Sequence, residues 1–249
     1  MEPSELIEPT SPEAGPEETS FRITDFILVY LVSIIVIGVG ASLAFYSDND
    51  LGEFSFWLPL QAAGYAVGLI AVKLRRRASW RAFGLPIEWR YAWGLATGVP
   101  LLILVTIVLL PLSAQLTESN NLVTNSLENI DSIIEGIAAG VGIVIVIPIM
   151  EELIFRGLLQ PALRRRVGAV GSVLGSALVF GMVHSLNIDP ASTQMGIEVA
   201  ATVGGIFVLA LFLGWAREHT GGIGLPIFIH AGWNGLVTVM LLFGPETLL

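Results

Sequence analysis

The sequence predicts an all-α, polytopic transmembrane helix bundle of about seven spans. Three observations carry this. Hydrophobic residues make up 54% of the 249 positions and charged residues 13%, with a mean hydropathy of +0.77; a soluble domain carries about 25% charged residues. Apolar runs near the length that crosses a bilayer recur seven times. The basic residues fall almost entirely on one side of the loops those runs define.

The first 20 residues stand apart. They hold Glu2, Glu5, Glu8, Glu13, Glu17 and Glu18, four prolines and no basic residue, too little apolar surface to order a segment, so a disordered acidic tail is expected over 1–20. A basic leader and a small-residue cleavage site are both missing there, which argues against a signal peptide. The candidate spans follow at 24–46, 54–73, 91–112, 133–160, 168–186, 195–216 and 223–243. A hydrocarbon core about 30 Å thick needs roughly 20 helical residues, and helices satisfy every backbone polar group internally. The chain divides into an N-terminal set of three spans over 21–129 and a core of four spans over 130–243.

Arg22 precedes the first span. Lys73, Arg75, Arg76, Arg77, Arg81 and Arg90 separate the second from the third, Arg164, Arg165 and Arg166 the fourth from the fifth, and Arg217 follows the sixth. The opposite loops, 47–53 and 117–129, contain neither Lys nor Arg. This asymmetry predicts a cytoplasmic N-terminus. One lysine against eleven arginines suggests a GC-rich genome, and a prokaryotic plasma membrane is the expected location.

Several function classes drop out. No cysteine is present, so disulfides, thiolate nucleophiles and Cys-ligated metals are excluded. There is no phosphate-binding glycine loop and no basic–aromatic patch for nucleic acid. No internal repeat suggests a transporter built from two halves.

Ionisable groups at membrane depth cost at least about 2.5–3.5 kcal/mol and mark functional candidates. Glu151 and Glu152 directly follow the apolar run VGIVIVIPIM and point about 100° apart on a helix. Glu152 and Arg156 are spaced i,i+4 with the acid first, the favourable order for an ion pair. Glu151 is then the freer carboxylate, and desolvation makes such a group the better proton acceptor. Equally, the cluster marks the end of a helix. Phe180 and His184 share one face, as do His230 and Asn234, whose donors suit an oxyanion as well as an interhelical packing contact. His219, in the stretch AREHTGG, reads as a solvated loop residue, and Asp25 as an interfacial residue at the start of the first span.

Together these motifs are more specific than any one. EExxxR, FxxxH and HxxxN, in this order on apolar helices, resemble the CPBP family of intramembrane proteases, which contains the type II CAAX prenyl proteases and the bacterial Abi proteins of bacteriocin self-immunity. The match covers about 130–240, and the stretch LRRRASWRAFGLP is similar to the linker common there. The resemblance implies that Glu151, with His184, activates a water for attack on a peptide carbonyl. It implies that His230 and Asn234 stabilise the oxyanion while Glu152, Arg156 and Phe180 support the site. The implied substrate is a membrane-associated protein or peptide, lipidated in the CAAX reading. A bacteriocin-processing or immunity protease and a catalytically silent scaffold are the alternatives.

Two histidines and a glutamate would also suit Zn2+ or another divalent metal, held by His184, His230 and Glu151. The helical HExxH spacing that makes zinc a strong reading is missing, and a metal-independent or weakly metal-dependent site is favoured. Counting from the span ends leaves a mismatch of about 10 Å at 1.5 Å per residue, with His184 too near the outer end to meet Glu151 and His230.

Overall fold

A computed structural model describes residues 20–46, 53–113, 132–189 and 191–243. The tail over 1–19 and the loop segments 47–52 and 117–129 lie outside these residues. Among the described residues the architecture is helical throughout. α1 (Ile23–Tyr46), α2 (Glu53–Arg76) and α3 (Gly94–Ser113) supply the N-terminal spans. α4 (Ile133–Val141) runs through a π-helical turn, Gly142–Val146, into α5 (Ile147–Ile154), and through a second π turn, Phe155–Leu159, into α6 (Gln160–His184). α7 (Met195–Thr220) and α8 (Gly224–Phe243) complete the bundle.

The apolar surface faces outward, as a lipid solvent requires. The most hydrophobic window of α1 has a mean hydropathy of 2.4 with only 17% of it buried, and Ile34, Ile35, Ile107 and Val108 are all exposed. Five helical stretches are long and apolar enough to cross a membrane, and Gly224–Met240 is a shorter apolar helix. One of the five, Ile133–Asn187, is 55 residues long and is broken at Gly168, where φ is 73° and ψ −176°. Only glycine adopts that conformation cheaply. Dividing this stretch at the break gives six such stretches among the described residues, and seven with Gly224–Met240.

The break resolves the depth mismatch. The helix that carries Glu151 continues past residue 160 to the Gly168 hairpin, so Glu151 is not near its end. Glu151 lies 17 residues before Gly168 and His184 lies 16 after it. At 1.5 Å per residue both stand about 25 Å from the hairpin.

Local signals set the other ends. The Ser132 hydroxyl accepts the Glu135 N–H at 3.2 Å, an N-cap for α4. Gly221, with φ 72°, closes α7 by returning its N–H to the Arg217 carbonyl. His219 therefore belongs to the last turn of α7, stacked on Trp215 with ring centroids 5.2 Å apart, and not to a loop as the sequence suggested. Asp25 is likewise more than an interfacial end: it is fully buried, accepts the Arg22 N–H at 2.7 Å and pairs with Arg76 at 2.8 Å.

Helices α1 and α2, α3 and α8, and α6 and α7 form the closest pairs. The linker between α2 and α3 folds back onto the bundle: Phe83 is buried against Phe21, and the Gly84 carbonyl accepts the Ile223 N–H at 3.2 Å. One apolar cluster, including Phe155, Leu158, Phe180 and Ile223, surrounds the polar centre. A second joins α3, α7 and α8 through Leu101, Leu213 and Trp233.

Candidate active site

Four of the predicted polar groups converge. Glu151 and Glu152 sit on α5, His184 ends α6, and His230 lies near the start of α8. Glu151, Glu152, Arg156 and His230 are all at least 95% buried. His184 Nε2 stands 3.9 Å from one oxygen of Glu151, and His230 Nε2 stands 3.7 Å from the other. Those separations are too long for direct hydrogen bonds and short enough for carboxylate and ring to share one water.

Both rings are held by their far nitrogens. His184 Nδ1 is 2.8 Å from the Phe180 carbonyl, its i−4 neighbour. A carbonyl only accepts, so Nδ1 carries the hydrogen and Nε2 is left toward Glu151. His230 Nδ1 is 3.0 Å from Glu152 Oε1, which by the same reasoning aims its Nε2 at Glu151. Glu152 Oε1 also accepts from Arg156 Nη1 at 3.0 Å. The i,i+4 pair expected from the sequence is formed, fully buried. Arg156 Nη2 donates onward to the Ala210 carbonyl at 3.2 Å. Phe180 is the wedge between these groups. Its ring lies 4.5 Å from that of His184 and 5.6 Å from that of His230, and the Arg156 guanidinium sits 4.6 Å over its centroid, within cation–π range.

Asn234 is placed differently from the other predicted residues. Its Nδ2 donates to the Ile143 carbonyl at 3.0 Å, on the first π turn. The sequence explains why that oxygen is free. The Ile147 N–H bonds the Gly142 carbonyl in the π pattern, and residue 148, next in line for Ile143, is a proline without an N–H. The second π turn repeats the device. The Gln160 N–H goes to the Phe155 carbonyl, Pro161 follows, and the orphaned Arg156 carbonyl accepts from Arg217 Nε at 3.1 Å. Sequence reading missed Arg217 and the two carbonyls. The readable signal was a proline inside each apolar run, at GIVIVIP and FRGLLQP.

A metal ion would draw on Glu151, His184 and His230. The donor types suit zinc, and committed Nδ1–H groups are the usual support for imidazole ligands. The spacing does not suit it: with bonds of 2.0–2.1 Å, ligand atoms around a tetrahedral zinc stand about 3.3 Å apart, against 3.7 and 3.9 Å here. Among the described residues no group of three or more His, Cys, Asp or Glu side chains is arranged to hold a metal.

An apolar cavity of about 530 Å³ lies between α6 and α7. Leu178, Met182, Ser185, Val203 and Phe207 line part of it, and Leu178 and Met182 are exposed on the side of the bundle.

No curated protein and no solved structure matches the chain. A family model does match, over residues 134–236, and its description is type II CAAX prenyl endopeptidase, Rce1-like. Those residues carry Glu151, Glu152, Arg156, Phe180, His184, His230 and Asn234, and over them the chain is similar to the Rce1-like family.

Proposed function

We propose that the protein is an intramembrane endopeptidase that hydrolyses membrane-associated substrates with a water activated by Glu151. The observation that carries this reading is the approach of two imidazole Nε2 atoms, from different helices, to the two oxygens of one buried carboxylate. Glu151 takes a proton from the water as its oxygen bonds the peptide carbonyl carbon, and the lone pair on His184 Nε2 holds the water's second hydrogen. Negative charge then develops on the carbonyl oxygen. His230, anchored through Nδ1 to Glu152, donates to that oxyanion from Nε2, and the second amide hydrogen of Asn234 adds to it. Glu151 returns its proton to the leaving amine as the C–N bond breaks. Arg156 holds Glu152 in place through their buried ion pair.

The family description favours substrates processed at a CAAX-type prenylated C-terminus. On this reading the basic end of the bundle, with Arg164–Arg166 and Arg217, faces the cytoplasm.

The deciding experiment compares new protein termini in membranes carrying the wild type or Glu151→Ala, with metal content measured on both purified proteins. Loss of specific termini with unchanged accumulation of the protein is expected. Identical termini would remove the protease reading.

A further inference from the structure

Helix α7 contributes no group to the carboxylate–imidazole cluster, yet it grips residue 156 from both ends. Its Ala210 carbonyl accepts the Arg156 guanidinium, and its Arg217 side chain caps the Arg156 carbonyl. Between these contacts, Gln160 Nε2 donates to the Gly214 carbonyl at 3.0 Å, and Glu218 receives Gln160 at 3.0 Å and Arg164 at 2.8 Å. The pairs 156–210, 160–214 and 164–218 keep a constant separation of 54 residues, so α7 runs parallel to this stretch and meets it in one register.

We propose that Arg217 is a positioning residue for hydrolysis. It holds the Phe155–Leu159 π turn in register and thereby fixes Arg156, Glu152 and His230 against Glu151. A π turn carries one extra residue and is strained relative to an α-turn. Pro161 removes the donor that would cap the Arg156 carbonyl, so the turn depends on a side chain from outside. Without Arg217, a shift toward α geometry offers the carbonyl a new donor and turns Arg156 about 100° relative to Glu152. Glu152 Oε1 is shared by Arg156 and His230, so the displacement reaches the imidazole that faces Glu151.

This inference rests on the hydrolytic reading of the site, and the test separates the two. The full-length protein in detergent micelles is assayed on a quenched-fluorescent, farnesylated CAAX peptide. Glu151→Gln, Arg217→Gln, Arg217→Lys, Pro161→Ala and the double variant Arg217→Gln/Pro161→Ala are compared. Arg217→Gln is expected to lower kcat by about 10- to 100-fold with KM within about threefold, and to distort the pH profile, as loss of a positioned group does. Arg217→Lys restores part of kcat. Pro161→Ala returns an N–H to the helix, so the double variant recovers activity relative to Arg217→Gln. A role in membrane topology or surface charge alone gains nothing from that second change. Amide exchange over 155–161 reads the same clamp without substrate: faster in Arg217→Gln, slower again in the double variant. Turnover retained in Glu151→Gln overturns the hydrolytic reading. Turnover lost in Glu151→Gln but unchanged in Arg217→Gln, or exchange indifferent to Arg217, overturns the positioning role alone.

Discussion

Asn234 Nδ2 donates to the carbonyl of Ile143 at 3.0 Å, an oxygen that Pro148 leaves without a helical donor. This contact gives Asn234 a structural duty that mutation can separate from the oxyanion role proposed for it. Asn234→Ala removes a cap from an orphaned carbonyl, at a cost of about 1–3 kcal/mol, and removes a donor from the oxyanion, lowering kcat by about 10²–10³-fold. Adding Pro148→Ala supplies a backbone N–H. Stability, followed by the fluorescence of the six tryptophans during titration with denaturing detergent, is expected to recover while kcat stays low. Recovery of both would leave Asn234 as a cap and nothing more.

The ring nitrogens offer a check that needs no substrate. The chain has three histidines, few enough to assign by substitution. In protein labelled with nitrogen-15 at histidine, Nδ1 of His184 and of His230 is expected to carry a hydrogen, tied to the Phe180 carbonyl and to Glu152. His219, stacked on Trp215, serves as the internal comparison. An unprotonated Nδ1 on His184 would point its Nε2–H at Glu151 and reverse the water-holding arrangement, and one on His230 would break the contact with Glu152 that orients that ring.

The spans were legible because lipid allows few solutions: runs of about 20 apolar residues separated by Arg clusters have one physical reading. The polar centre was legible for a related reason, since buried charge at EExxxR, FxxxH and HxxxN has no cheap structural explanation. Depth was not. Counting from span ends placed Glu151 close to one face, because nothing in the composition of 160–167 says that the helix continues to Gly168. The linker from 80 to 91 read as a simple connection, whereas Phe83 and Gly84 lock into the bundle. The π turns escaped because their cause is a single missing N–H at Pro148 or Pro161, which pattern reading takes as an ordinary helical proline. Arg217 was weighed only as a charge that orients the chain; its bond to the Arg156 carbonyl depends on where a helix 61 residues away has been unwound.

Charge compensation at the centre is open to a double-mutant cycle. Arg156 and Glu152 are both fully buried, and removing one partner of such a pair costs about 3–5 kcal/mol because the other charge is stranded. Arg156→Leu is therefore expected to be strongly destabilising, and Glu152→Gln less so, since His230 and Arg156 keep an acceptor. The double variant Glu152→Gln/Arg156→Leu should be more stable than Arg156→Leu alone. Strictly additive losses, measured by detergent unfolding, would mean that the two groups do not compensate each other.

The approach of α3 to α8 sets where His230 stands. A Cβ built on Gly98 would collide with the backbone of Gly232 and Trp233, and one on Gly232 with the backbone of Leu95. Backbone on both sides leaves no flexible side chain to yield, so Gly98→Ala must push the helices apart. Overpacking of this kind costs about 1–3 kcal/mol, and it moves the helix that carries His230. Gly140 is the control, because an added Cβ there meets nothing within 4 Å. Gly140→Ala is expected to be neutral or to gain up to about 1 kcal/mol from helix propensity. Cleavage should fall in Gly98→Ala and persist in Gly140→Ala, both measured alongside the unfolding midpoint. Equal stability and equal turnover in the two variants would show that the α3–α8 contact is looser than its glycines indicate, and that His230 takes its place from the hydrogen bond to Glu152 rather than from helix packing.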